Sequence, residues 1–171
     1  LKGAFRRFIT HLNNIRGSSG ASLIEFALVA PVFLMLLIGS IEFARLFIIE
    51  NALIAGVRQA GRYGITGANA VGQNRSNSVT QVLKDTIKTY SAGLVDPSKL
   101  QISSNVYQSL NQIQPLTMGN DPQTLNPGGS SEVIQYMVIY PTKTLIPFLS
   151  NNGVLNLTAE ATYVNENYGG Q

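Results

Sequence analysis

No cysteine occurs in the 171 residues. That excludes disulfides, thiol nucleophiles and cysteine zinc sites, and it is compatible with an oxidising exterior. The only histidine, His11, lies in the basic N-terminal segment, which argues against metal sites and histidine-dependent catalysis. Charged residues make up only 12% of the chain, low for a freely soluble domain. Beyond residue 80 the carboxylates Asp85, Asp96, Asp121, Glu132, Glu160 and Glu166 stand singly, with no paired spacing. Neither G-x-S-x-G nor a phosphate-binding glycine loop is found. No catalytic activity, cofactor or metal is expected. The net charge of +3 is no nucleic-acid signature either. The first 24 residues contribute +4 and the remainder −1, so the basicity belongs to one flank and no nucleic-acid partner is expected.

What the chain does have is one long apolar run. Phe26 to Ile41, FALVAPVFLMLLIGSI, contains no charge, and the next eight residues, EFARLFII, add only Glu42 and Arg45. At about 1.5 Å per residue the uncharged part covers about 24 Å, and continuation to Ile49 gives about 36 Å. That length fits a tilted bilayer span and exceeds a signal-peptide core of about 7–15 apolar residues. Lys2, Arg6, Arg7 and Arg16 precede it, with no acid before Glu25, which places the N-terminus in the cytoplasm and the run among membrane lipid.

The remaining pattern predicts an α+β organisation. Residues 1–20 form a basic leader with an amphipathic helical spacing. Residues 21–63 form a long helix: the span, then an extension in which Leu46, Ile49, Leu53, Val57 and Ala60 share one face. Gly61, Gly64 and Gly67 weaken and end it, and residues 64–77 form a hinge. Residues 78–171 form a small extracytoplasmic domain. Within it, Ser78-x-x-Gln81 reads as a capping box, opening a helix over 78–92 with the stripe Val79, Val82, Leu83, Ile87 and Tyr90. Strands are predicted over 100–110, 132–140 and 154–164, antiparallel, with the helix laid on the sheet. Residues 111–131 form a long loop, and 142–148 a short irregular connection. A fragment spanning 68–171 is expected to be soluble and to fold as a mixed module that binds protein.

Three local features carry chemistry. At Gly20-Ala21-Ser22-Leu23-Ile24-Glu25-Phe26, a glycine that admits close backbone approach precedes an acid about one and a half turns into an apolar helix. An isolated carboxylate there needs a partner charge, such as the α-amino group of Ala21 after a cut at Gly20. The alternative is a solvated Glu25 at the interface with no cleavage. Pro31 lacks an N–H within the span and predicts a kink. Glu42 and Arg45, three apart, form either an ordinary interface pair or an inter-subunit clamp.

Together, GASLIEFALVAP (Gly20–Pro31), IEFARLF (Ile41–Phe47) and the following helix with Ala52, Ala60 and Arg62 resemble TadE-like proteins, minor pseudopilins of the tight-adherence (Flp-type) pilus. The resemblance implies a pilin-like domain and a leader cut by a prepilin peptidase between Gly20 and Ala21. It also implies an assembly role for Glu25 and Phe26. Phe26 stands where the major pilins of that system carry Tyr, which favours a minor subunit. The implied partners are the peptidase, other pilins or pseudopilins, the assembly platform and inner-membrane lipid. The implied location is the bacterial inner membrane, single-pass, with the domain periplasmic or in an extracellular pilus. The competing reading is an uncleaved, permanently anchored envelope protein whose outer domain binds a partner.

Overall fold

The computed structural model describes residues 2–67, 74–115, 124–144, 146, 150 and 152–167, with side chains from Gly20 onward. The chain forms two compact units, Leu1–Ile41 and Glu42–Gln171. Helix α1 runs from Lys2 to Ile65 and supplies residues to both. The helix expected to begin near Ala21 therefore begins at Lys2 and continues through Gly17–Gly20. A glycine inside a helix costs only about 1 kcal/mol relative to alanine, so two of them weaken the backbone there without breaking it. α1 also continues through Pro31. From Leu23 to Ile41 its large apolar side chains are exposed. The segment Gly20–Ile65 is long and apolar enough to cross a membrane.

From Glu42 onward α1 becomes a core helix. Leu46, Ile49, Ala52, Leu53, Val57 and Ala60 recur every three or four residues, and all are buried. All of these but Leu46 pack in one cluster with Val79, Leu83 and Ile87 of α2 (Arg75–Tyr90) and with sheet residues that include Ile102, Ile134, Tyr136, Val138 and Tyr140. The compact domain thus begins at Glu42, and the expected 78–165 module is only part of it. α2 starts three residues earlier than the capping box at Ser78 predicts. Its N-cap is Asn74, whose side chain accepts from the Asn77 amide at 2.8 Å, and Ser78 instead donates to the Asn74 carbonyl from inside the first turn. Asparagine before the helix outcompetes a serine within it because its carbonyl reaches the orphan amides directly. Of the predicted stripe, Val79, Leu83 and Ile87 are buried, Val82 is half-buried and Tyr90 is 67% exposed.

The sheet has order β1-β2-β3, wholly antiparallel: β1 Gln101–Tyr107, β2 Val133–Lys143 and β3 Val154–Val164. β3 keeps its predicted bounds and alternation. Leu155, Leu157, Ala159, Ala161 and Tyr163 turn toward the core, and the residues between them are exposed. β2 is the central strand, apolar on both faces as its sequence predicts. It runs three residues further than expected, through Pro141 to Lys143. Proline is admitted because β1 pairing stops at Ile139, so Pro141 pairs only with Asn156 of β3.

In the predicted 111–131 loop, residues 111–115 are exposed, whereas 125–129 form a packed strap. Leu125 is fully buried, its amide donates to Thr80 Oγ1 at 2.9 Å, and its carbonyl accepts from Ser76 Oγ. The Asn126 amide donates to Ser104 Oγ at 2.7 Å. Asn165, just past β3, donates its amide group to the carbonyls of Pro127 (2.9 Å) and Gly129 (2.6 Å). Arg75 bonds to the carbonyls of Gly64 and Gly128, tying the end of α1 to the same strap.

Two α1 glycines set how closely the layers meet. A Cβ at Gly56 would lie 2.3 Å from Ile87 Cγ1 and 3.3 Å from the Leu83 carbonyl. One at Gly61 would lie 2.1 Å from the Tyr163 ring. Gly61 is therefore a packing residue inside the helix and not its terminator; the stop comes at Gly67, with φ +69°. Gly56→Ala must displace the buried Ile87 side chain and crowd the Leu83 carbonyl. It is expected to cost about 1–3 kcal/mol, the usual penalty of overpacking, despite its better helix propensity. A lowered urea midpoint for the full chain in detergent checks this.

Candidate functional site

The cleavage-type junction lies within α1. Gly20 is exposed and open: a Cβ there would meet nothing within 4 Å. Ala21, Glu25, Phe26 and Pro31 are exposed as well. Among the described residues Glu25 makes no salt bridge within the chain. Its carboxylate is thus presented to whatever surrounds the helix.

The second predicted pair is built differently from a surface contact. Glu42 is 1% exposed, and its carboxylate receives the Nε–Nη2 edge of the Arg45 guanidinium. Nη2 donates to Oε1 at 2.8 Å and Nε donates to Oε2 at 3.0 Å. This forked geometry adds direction to charge. Two further guanidinium hydrogens go to β2: Nη1 donates to Thr142 Oγ1 at 3.1 Å, and Nη2 to the Lys143 carbonyl. Arg45 therefore clamps the first turn of the domain's helix to the last two residues of the central strand. Sequence spacing finds the Glu42–Arg45 pair but has no signal for its strand partners 97 and 98 residues away. The described bonds of Arg45 lie within one chain.

The third feature is the free edge of β3. The sheet ends there, and among the described residues no backbone hydrogen bond reaches the outer side of Leu155–Val164. No proline, lysine or arginine interrupts those residues. Edge strands are usually blunted by prolines and charges; exposed Glu160 is the one charge on this edge, and the rest of it is open to pairing. Above its core face Tyr163 packs on Gly61. Burial raises the Tyr163 phenol above its ordinary pKa, and nearby Arg58 and Arg62 oppose that rise. Both arginines are exposed.

Among the described residues no cluster of three metal-ligating side chains forms. An open groove is lined by Ala55, Gln59, Asp85, Thr86, Thr89 and Tyr90. Its one carboxylate accepts from Gln81 Nε2 at 2.9 Å, which pairs no base with a nucleophile. His11 lies outside the described side chains.

Residues 20–62 match the family model for TadE-like protein. The match covers 43 of the 171 residues, and the likeness is to that segment alone. No curated protein and no solved structure matches the chain.

Proposed function

We propose that this chain, TadE-like over residues 20–62, is a minor pseudopilin of a Tad (Flp-type) pilus. It is stored in the bacterial inner membrane with its N-terminus cytoplasmic, cut after Gly20 by a prepilin peptidase, and inserted through α1 into the pilus or its assembly base. The single observation that carries the reading is the exposed run Gly20–Ile41, with no salt bridge to Glu25 among the described residues, inside the matched segment. A carboxylate on an apolar helix is costly until a positive charge meets it. Cleavage after Gly20 creates such a charge on Ala21, one helical turn away or on a neighbouring subunit. The leader is suited to cutting, because Gly17-Ser18-Ser19-Gly20 costs little to unwind into the extended form a peptidase binds. The domain's contribution is contact with neighbouring pilus proteins through the open β3 edge.

Glu25→Ala is expected to leave membrane insertion intact, since it removes a charge from an apolar helix, and to abolish or sharply reduce assembly. Membrane fractionation and counts of surface pili report the two effects separately. Normal pilus output from the variant contradicts the assembly role.

The uncleaved envelope-anchor reading shares the same span and domain. It leaves the junction without a purpose, and the matched segment begins at Gly20, the residue before the proposed cut.

A further inference from the structure

The backbone groups on the open side of β3 can be assigned. The Thr144 amide donates to the Gly153 carbonyl at 3.0 Å and the Asn165 amide to the Glu132 carbonyl at 2.9 Å, closing the β2–β3 ladder at its two ends. N–H and C=O groups alternate in direction along a strand, so the odd-numbered residues of β3 turn theirs to β2. Asn156, Thr158, Glu160 and Thr162 turn theirs to the open side, and all four are exposed. On the core face, Leu155, Leu157, Ala161 and Tyr163 are only half-buried. A strand added to this edge would extend the ladder and complete their apolar cover.

α1 borders the same edge. A Cβ on Gly61 would lie 2.1 Å from the Tyr163 ring, and Arg58 and Arg62 stand on either side of that glycine in sequence, one turn apart and exposed. Both charges act on the Tyr163 phenol. From Asn51 to Ile65 the helix has no acid. The Glu166 amide is held on the Ile65 carbonyl at 3.1 Å, yet among the described residues neither arginine forms a salt bridge. Two cations thus stand beside an open strand edge, on the side of its core face. They rise about 6 Å apart along α1, and alternate residues of a strand lie about 6.7 Å apart. An acid at every second position of an added strand matches both.

We infer that β3 with Arg58 and Arg62 is an acceptor site for an extended segment of a partner protein that carries alternate acidic side chains toward α1. A second copy of this chain does not supply such a segment through its own sheet edges: β1 has no acid, and β3 has only Glu160, on the face opposite the core. The backbone ladder gives affinity to any strand, and the arginine pair selects among strands. The inference rests on the β3 contact of the proposed function and names the chemistry of its partner.

The test uses the full chain in detergent and three fluorescein-labelled peptides, TVTVTETET, TVTVTQTQT and TVTVTKTKT, with binding read by fluorescence anisotropy. The glutamate peptide is expected to bind about tenfold more tightly than the lysine peptide, with the glutamine peptide between, as two exposed ion pairs allow. In the double variant Arg58→Gln/Arg62→Gln the preference should fall to within about twofold. Thr158→Pro removes an outward N–H without removing a bond to β2, and should abolish binding of all three peptides while near-ultraviolet circular dichroism stays unchanged. The arginine variant leaves the strand intact, so it decides the outcome independently of the proline variant. No binding, equal binding of the three peptides, or a preference that survives loss of both arginines overturns the inference. Unchanged binding by folded Thr158→Pro does so too. Counts of surface pili from cells carrying Thr158→Pro separate this failure from that of the β3 contact itself. Lost pili with no peptide preference keep the contact and remove its acidic partner, whereas normal pili remove both.

Discussion

A fragment beginning at residue 68 is expected to remain unfolded, whereas one beginning at Glu42 folds. The chain from 68 onward retains α2 and all three strands, which by pattern alone looks sufficient. The buried side chains of Leu46, Ile49, Leu53 and Val57 show otherwise. Each large apolar side chain removed from water contributes about 1.5–3 kcal/mol. Losing four therefore removes roughly 6–12 kcal/mol, on the order of the whole stability of a domain. The loss also uncovers Val79, Leu83 and Ile87 of α2, fully buried in the intact core. Dispersed near-ultraviolet circular dichroism should be present in residues 42–171 held in mild detergent and absent in residues 68–171. A cooperative, folded 68–171 would show that α1 is only an attached stalk.

Arg45→Ala is expected to be the most destabilising single substitution at the membrane-side end of the domain. It removes two bonds to Glu42 and two to the end of β2, and leaves a carboxylate that is 1% exposed without its guanidinium. Breaking a fully buried pair costs about 3–5 kcal/mol. Arg45 itself keeps 29% of its side-chain surface in contact with the surroundings, so about 2–4 kcal/mol is the appropriate range. Arg45→Lys retains the charge but not the fork and should fall between. The effect is local as well as global. Thr142 and Lys143 lose their tie to α1, so hydrogen exchange at residues 142–144 should accelerate more in Arg45→Ala than in Glu42→Gln. Equal exchange in all variants would mean that the clamp carries no load.

These two predictions mark where sequence reading succeeds and where it stops. Periodicity found the amphipathic extension of α1, the three strands and the bounds of β3, because a stripe every three or four residues and a strict alternation are local properties. It did not find what the α1 stripe packs against. A stripe states that a face is covered, not by which element, and so the extension was separated from the domain whose core it forms. The same limit applies to Arg45. Its i, i+3 partner is visible in sequence, but Thr142 and Lys143 are joined to it only by the fold. Gly61 shows a further case. Glycine late in a helix predicts a terminus, yet here the Tyr163 ring occupies the space of the missing Cβ. Ser78 lost the N-cap to Asn74 because two capping residues competed within one turn. The reading of Gly20 and Glu25 rests on residue order along one helix, not on packing.

The central claim is that the chain is a processed pseudopilin, and its most direct measurement is the N-terminus of the protein extracted from membranes of cells that possess the prepilin peptidase. Intact mass and N-terminal sequencing should find Ala21 as the first residue, with Gly20→Leu leaving the leader attached. Recovery of the unprocessed chain alone from such cells would contradict the account and leave the permanently anchored envelope protein in its place.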